Sequence, residues 1–332
     1  MYRTNEICPE LFYQSNIFRF YFENLQHGVL DIETTGLNPD RSQMILGGLV
    51  VPDGSSKRAV QIFSESGDEE ETLLRHYLSE LKDLDVLFSY NGDNFDLPYI
   101  SRRLRHHRIP AAEMPQFLSF DLYRVLDKHS NFRKLLPNLK QKTVETFLGL
   151  WSDRTDEISG AESVELYLRF LKTGDPAIRD LILLHNRDDI LQLSRLLKVF
   201  EKLDLHKIMF HNGFIVSNQG KKIYIKSIDL KKDALLVSGT HRNIFMDYRC
   251  YRTSHEASFS VKDGDFSLRI PVRDQVLYSC IDLEEFPYNF TELEKYPGYE
   301  SGYLLVTSGG EISFAEINHL IKILLREILC EL

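Results

Sequence analysis

A chain of 332 residues that is 43% hydrophobic and 27% charged is globular in composition and long enough for two cores. No stretch approaches about 18 uninterrupted apolar residues, and the polar N-terminus has no signal-peptide pattern, so a membrane partner is set aside and the cytoplasm is the expected location. A formal net charge of -9 argues against wrapping duplex nucleic acid by general electrostatics alone, and the four dispersed cysteines form neither a disulfide framework nor a zinc-ligand spacing.

Along the chain, residues 1–24 read as an extension packed on the domain that follows. Residues 25–204 carry an α/β pattern. Strands are expected at 28–33, 44–50, 58–63, 85–90 and 117–121, with a helix over 68–84 whose Leu73, Leu74, Tyr77, Leu78 and Leu81 share one face. Three early strands joined by short turns, then strand and helix in alternation, give a mixed five-stranded sheet with flanking helices. Helices are expected at 95–108, 121–128, 138–147, 161–173 and 175–202, the last opening on Asp175-Pro176, a capping residue followed by proline at the first helical position. Residues 205–332 read as a β-rich accessory domain of α+β type, with strands and turns to about 283 and helical segments near 284–295 and 313–330.

The chemistry begins at GVLDIETTG, residues 28–36. Side chains alternate faces along a strand, so Asp31 and Glu33 share one face beside a buried surface. Two carboxylates so placed repel each other and lose hydration, a cost that a divalent cation offsets. Asp96 follows an apolar strand and a tight turn at Asn91-Gly92, at the start of a helix, where it either faces a ligand crevice or caps the helix. In the long helix, Ile178, Leu181, His185, Asp189, Leu193, Leu196 and Phe200 fall on one stripe, so His185 and Asp189 interrupt an apolar face one turn apart. An oxygen-rich set of Asp31, Glu33, Asp96 and Asp189 suits Mg2+ or Mn2+, and two such ions suit hydrolysis of a phosphodiester bond.

Three ordered segments, DIETTG, the NxxxFDxPxI-like run from Asn91 to Ile100, and HNRDD, resemble the three exonuclease motifs of the DEDD superfamily of 3'-5' exonucleases. Within it the chain looks like bacterial ribonuclease-H-like exonuclease domains related to the proofreading domain of family B DNA polymerases. The resemblance covers about residues 25–204 and implies a ribonuclease-H-like fold. It also implies metal ligation by Asp31, Glu33, Asp96 and Asp189. His185 has the spacing of that superfamily's tyrosine branch and the side chain of its histidine branch. It either takes a proton from water as a general base or only orients the water.

Substrate contacts are expected from Thr34, Thr35, Gly36 and Leu37 at the cleft edge, with Leu37 as a wedge beside the 3'-terminal nucleotide, as the resemblance implies. Asn91 either shapes its turn or bonds near that nucleotide. Phe95 either stacks on a base or packs in the core, and Arg102 and Arg103 either hold phosphates or form a solvated helix face. The resulting expectation is a Mg2+ or Mn2+ dependent 3'-to-5' exonuclease acting on the single-stranded 3' end of DNA or RNA. A structure-directed nuclease on the same fold and a catalytically weak nucleic-acid-binding or repair accessory protein are the alternatives.

Overall fold

The computed structural model describes residues 1–150 and 160–332. The chain divides into two compact units, Met1–Leu203 and Asp204–Leu332.

In the first unit the strands are β1 (Tyr2–Cys8), β2 (His27–Thr34), β3 (Met44–Asp53), β4 (Ser56–Phe63), β5 (Val86–Ser89) and β6 (Leu118–Asp121). Among the described residues they form one mixed sheet in the order β1-β4-β3-β2-β5-β6. Pairing is antiparallel from β1 through β2, and β2-β5 and β5-β6 are parallel. The five expected strands are all present, and β1 adds a sixth at the edge, paired in register with Lys57 to Phe63 of β4. Periodicity did not reveal β1 because its side chains are largely exposed, and its pairing is set by backbone hydrogen bonds to a distant strand.

The helices of this unit are α1 (Asn16–Phe22), α2 (Glu70–Leu81), α3 (Asp96–His106), α4 (Leu122–His129), α5 (Phe132–Leu135), α6 (Gln141–Phe147), α7 (Gly160–Thr173) and α8 (Pro176–Leu196). One face of the sheet, with Leu30, Ile32, Leu49 and Val60, packs on Leu73, Leu74, Tyr77 and Leu78 of α2 and on Tyr99 and Ile100 of α3. On the other side Ile45, Leu46 and Phe63 meet Tyr167 and Phe170 of α7 and Ile178, Ile182 and Leu183 of α8. Each large apolar side chain buried in this way stabilises the fold by about 1.5–3 kcal/mol. The α8 helix begins as its sequence specifies, with the Asp175 carboxylate accepting from the Ala177 N–H at 2.9 Å and proline at the first position. Leu181, assigned above to the inward stripe, is 46% exposed, while Ile182, Asn186 and Ile190 are buried. The helix is enclosed on more than one side, so a single 3-4 stripe does not describe it.

An ion pair inside the first unit secures the loop after β2. Glu70, in the first turn of α2, accepts from Arg103 Nε at 2.7 Å, from the Met44 N–H at 2.8 Å and from His107 Nε2 at 2.8 Å. The same guanidinium donates through Nη1 to the Pro39 carbonyl at 2.7 Å, so it clamps the loop between β2 and β3 onto α3. Burial alone would raise the Glu70 carboxyl, yet the hydrogen bonds from Arg103 and His107 hold it below the ordinary glutamate value.

In the second unit, α9 (Leu205–Asn212) precedes β7 (Ile215–Asn218), β8 (Lys221–Leu230), β9 (Ala234–Arg242), β10 (Tyr248–Tyr251), β11 (Glu256–Ser260) and β12 (Asp265–Pro271). These form an antiparallel sheet in the order β10-β11-β12-β9-β8-β7. A second antiparallel sheet contains β13 (Arg273–Asp274), β14 (Tyr278–Asp282), β15 (Tyr299–Glu300), β16 (Tyr303–Ser308) and β17 (Glu311–Ile312), and α10 (Phe314–Glu331) ends the unit. The helix expected over 284–295 is replaced by loop with one 3-10 turn at Thr291–Leu293. Pro287 supplies no N–H and its ring opposes a continuous helix there.

Glu70→Ala leaves Arg103 buried without its carboxylate, and the expected loss is about 3–5 kcal/mol in urea unfolding of the protein. The folded-state value of Glu70 is depressed, so its contribution is present above the ordinary glutamate range and is lost as pH falls through the folded-state value. The difference between wild type and E70A is therefore expected to shrink in acid.

Candidate metal centre

β2 lies between antiparallel β3 and parallel β5, and its pairing with β5 runs only from His27 to Val29. Beyond Val29 the two strands part, which opens a crevice at the carboxyl ends of the parallel strands. The Ile32 N–H on this side donates to Asp96 Oδ1 at 3.2 Å. Asp96 thus reaches from the first turn of α3 across the crevice to β2, while its carboxylate also accepts from its own backbone N–H. The turn that delivers it holds Asn91 at φ 65°, with the N–H groups of Asn91 and Asp93 donating to the Asp121 carboxylate at 2.8 and 3.2 Å.

Leu30 and Ile32 face the α2 and α3 side, so Asp31 and Glu33 face α8, as strand alternation requires. His185 Nε2 lies 3.6 Å from Glu33 Oε1 and 3.6 Å from Asp189 Oδ2. Glu33, His185 and Asp189 each present a ligand atom within 4.8 Å of the others. Asn186 Nδ2 donates to Asp31 Oδ2 at 2.9 Å.

Electrostatics ties the carboxylates into one group. Asp31 is raised well above the ordinary aspartate value, first by burial and then by the charges of Asp96, Asp189 and Glu33, against the opposing Asn186 hydrogen bond. Burial lifts Glu33 to about 7, with His185 opposing and Asp189 reinforcing the shift. Burial likewise lifts Asp96 to about 7. A donor set of carboxylate oxygens with one imidazole, held where its own charges repel, fits a hard divalent cation that removes the repulsion.

The remaining sequence candidates divide by position. Thr34 is buried and donates to the Gly36 carbonyl at 3.0 Å, and Thr35 Oγ1 accepts from the Gln43 N–H at 2.9 Å, so both shape the loop. That loop carries Leu37 at 84% exposure. Phe95 packs against the core beside Tyr99, with ring centroids 5.5 Å apart. Arg102 makes an exposed ion pair with Asp40 at 2.9 Å. Arg103 corrects the expectation of a phosphate contact: it is 3% exposed and its guanidinium is committed to Glu70 and Pro39. Its helical position gave no sign of this, because the partner lies 33 residues away on α2. Asn186, Gln61 and Gly48 were missed altogether. The lone signal was an amide side chain on the stripe-bearing turn of α8.

The model of the RNase_H superfamily matches residues 29–201, which is over half of the chain and holds every residue of this cluster. The chain belongs to the RNase_H superfamily. This RNase_H unit is a nuclease-type fold with a cluster able to coordinate a metal ion. It is similar to an uncharacterized protein, YprB, of Bacillus subtilis (strain 168), at 32% identity over 171 residues, covering 50% of this chain and 40% of that protein. A second uncharacterized protein, MJ0365 of Methanocaldococcus jannaschii, is 27% identical over 175 residues, covering 52% of this chain and 93% of that one. The chain thus spans two-fifths of YprB and nearly all of MJ0365. Among solved structures, the family B DNA polymerase of Pyrobaculum calidifontis aligns with a TM-score of 0.43 at 22% identity, over 53% of this chain and 24% of that one. Brucella melitensis NrnC with bound Mg2+ aligns with a TM-score of 0.27 at 15% identity, over 55% and 86%. Among the described residues no helix is long and apolar enough to cross a membrane.

A carboxyl raised in the folded state favours folding while it is protonated. The contribution of Glu33 and Asp96 is full below the ordinary carboxylate range and is lost as pH rises through about 7. In EDTA, Asp96→Asn is expected to match wild type in thermal unfolding only below the ordinary carboxylate range, at about pH 3. At pH 8 it is expected to be the more stable by about 1–3 kcal/mol, because the amide oxygen still accepts from Ile32 and carries no charge.

Proposed function

We propose that the protein is a divalent-metal-dependent 3'-to-5' exonuclease that hydrolyses phosphodiester bonds at single-stranded ends of DNA or RNA. The observation that carries this reading is the burial of Asp31, Glu33 and Asp96, each raised above its ordinary value first by desolvation, beside a crevice where His185 stands 3.6 Å from both Glu33 and Asp189. Asp31, Glu33, Asp96 and Asp189 would hold two Mg2+ or Mn2+ ions, which when bound polarise a phosphoryl oxygen, lower the pKa of water and stabilise the leaving oxygen.

The chain's own groups do the rest. His185 accepts a proton from the attacking water or holds that water in line through Nε2, and its buried setting between two carboxylates restricts the ring to that task. Leu37, exposed at the tip of the loop after β2, is placed to wedge against the terminal base while Thr34, Thr35 and Gly36 fix the loop backbone.

A cavity of about 570 Å³ lined by Tyr90, Asn91, Tyr123, Arg133, Lys140 and Gln141 supports a strand-binding role. It adjoins the cluster through Gln141, whose Nε2 donates to the Asp189 carbonyl at 3.4 Å. Two tyrosine rings 6.1 Å apart and two cationic side chains suit a base with its phosphate. Arg102, at the surface beside Asp40, remains a candidate phosphate contact.

The test uses end-labelled single strands, duplexes and overhangs of DNA and RNA, with Mn2+, Mg2+ or EDTA. A metal-dependent one-nucleotide ladder from the 3' end is expected, and D31N and D189N are expected to lower the rate by about a hundred- to a thousandfold, the scale of removing one electrostatic stabiliser. No cleavage of any substrate, or cleavage unchanged in those variants, overturns the reading. His185→Phe is expected to lose most activity. Recovery by His185→Tyr identifies water orientation as the role, whereas a Tyr variant as slow as Phe, with loss of the wild-type acidic limb in the pH-rate profile, identifies proton transfer.

A further inference from the structure

Four residues occupy one row across the sheet: Thr4 of β1 opposite Gln61 of β4, Gln61 opposite Gly48 of β3, and Gly48 opposite Asp31 of β2. Directly opposed residues of paired strands point to the same face, so three side chains of this row and one gap project toward α8. The gap is Gly48, and Asn186 fills it. A Cβ built on Gly48 would stand 2.2 Å from Asn186 Oδ1, so no other residue at that position leaves the amide where it is. From there Asn186 reaches both neighbours in the row, with Nδ2 donating to Asp31 Oδ2 at 2.9 Å and Oδ1 accepting from Gln61 Nε2 at 2.9 Å.

The direction of this chain of hydrogen bonds is fixed. A backbone carbonyl only accepts, and the Leu183 carbonyl lies 2.8 Å from Gln61, which must therefore turn its NH2 group that way. That NH2 also faces Asn186, so Asn186 presents oxygen to Gln61 and is left with its own NH2 for Asp31. At the far end the Thr4 hydroxyl donates to Gln61 Oε1 at 3.3 Å. Both amides are buried and every polar atom on them is engaged.

We infer that Asn186 is a positioning residue for the metal centre: held by Gln61 in the gap left by Gly48, it fixes the carboxylate plane of Asp31 for a divalent cation. The inference rests on the metal-centre reading and adds to it a specific dependence of cation affinity on two amides that touch neither cation nor substrate. Hydrogen-bonded partners of ligating side chains commonly govern affinity by about 10–100-fold. Gln61 acts on Asp31 only through Asn186, so the two residues form one series connection and not two independent supports.

The experiment is Mn2+ titration of the full chain, followed by the electron paramagnetic resonance signal of the free ion, on wild type, N186L, Q61M and the double variant. Thermal unfolding in EDTA is recorded beside it. N186L is expected to weaken Mn2+ binding by about tenfold or more. Q61M is expected to weaken it less, and the double variant to bind as N186L does, since Gln61 has nothing left to act through. If N186L does not fold, N186S takes its place, because a serine is too short to bridge Gln61 and Asp31. Binding by the Asn186 variant within about twofold of wild type overturns the inference, and so do effects of the two substitutions that multiply in the double variant. A wild type that takes up no Mn2+ overturns the metal-centre reading and this inference together, whereas wild-type uptake with either of the other two results overturns this inference alone.

Discussion

Mutual repulsion among carboxylates is the constraint around which the first unit is built. Burial first, and then the charges of neighbouring carboxylates, raise Asp31, Glu33 and Asp96 above their ordinary values, with Asp189 adding to the shifts of Asp31 and Glu33. Side chains free to move would swing outward and relieve it. Here they cannot, because two leave from a strand in the middle of a six-stranded sheet, one from the first turn of a helix anchored on that strand, and one from a helix enclosed by apolar contacts. The hydrophobic faces packed by α2, α3, α7 and α8 supply the stabilisation that offsets the charge cluster. A cation held by this cluster would offset the repulsion, so cation affinity and apo-state stability would be opposed quantities in this unit.

A second set of polar groups keeps the loops in place and stays out of the chemistry. Glu70 and Arg103 join α2, α3 and the loop bearing Leu37, while Asp121 receives the N–H groups of the Asn91 turn. Each of these side chains bonds backbone on an element adjacent to the crevice. Buried ionic groups of this kind cost desolvation and recover it only with full hydrogen bonding, which Glu70 has from three donors. Division of labour follows: the acidic cluster gathers several carboxylates beside one imidazole and so suits a cation, whereas each bracing carboxylate is matched by its own N–H or cationic donors.

The sequence disclosed the parts of this arrangement that local rules govern. Strand alternation put Asp31 and Glu33 on one face, helical spacing put His185 and Asp189 one turn apart, and Asp175-Pro176 marked the start of α8. What stayed hidden depends on partners remote in sequence. The edge strand β1 has an exposed pattern that only β4 makes intelligible. The fate of Arg103 was decided by Glu70, and the roles of Gly48, Gln61 and Asn186 by a register across four strands. In the second unit α9 stands where strands and turns are expected from the sequence, although Asp204 caps it, accepting from the Lys207 N–H at 3.0 Å, and Gly213 ends it at φ 81°. Its eight residues are too few for periodicity to outweigh the β-prone run that follows.

The hydrogen bond between Asn186 and Asp31 spans 155 residues. Closing so long a stretch of chain is slow compared with forming the β2-β3-β4 meander, whose contacts are local. A nascent polypeptide that has left the ribosome only as far as α6 already carries Asp31, Glu33 and Asp96, yet neither His185 nor Asp189 has been made. The acidic half of the centre therefore spends part of synthesis without α8 to enclose it, accessible to water that softens its repulsion. The cluster of Glu33, His185 and Asp189 able to coordinate a metal ion is therefore complete only once the last helix of the unit has been made.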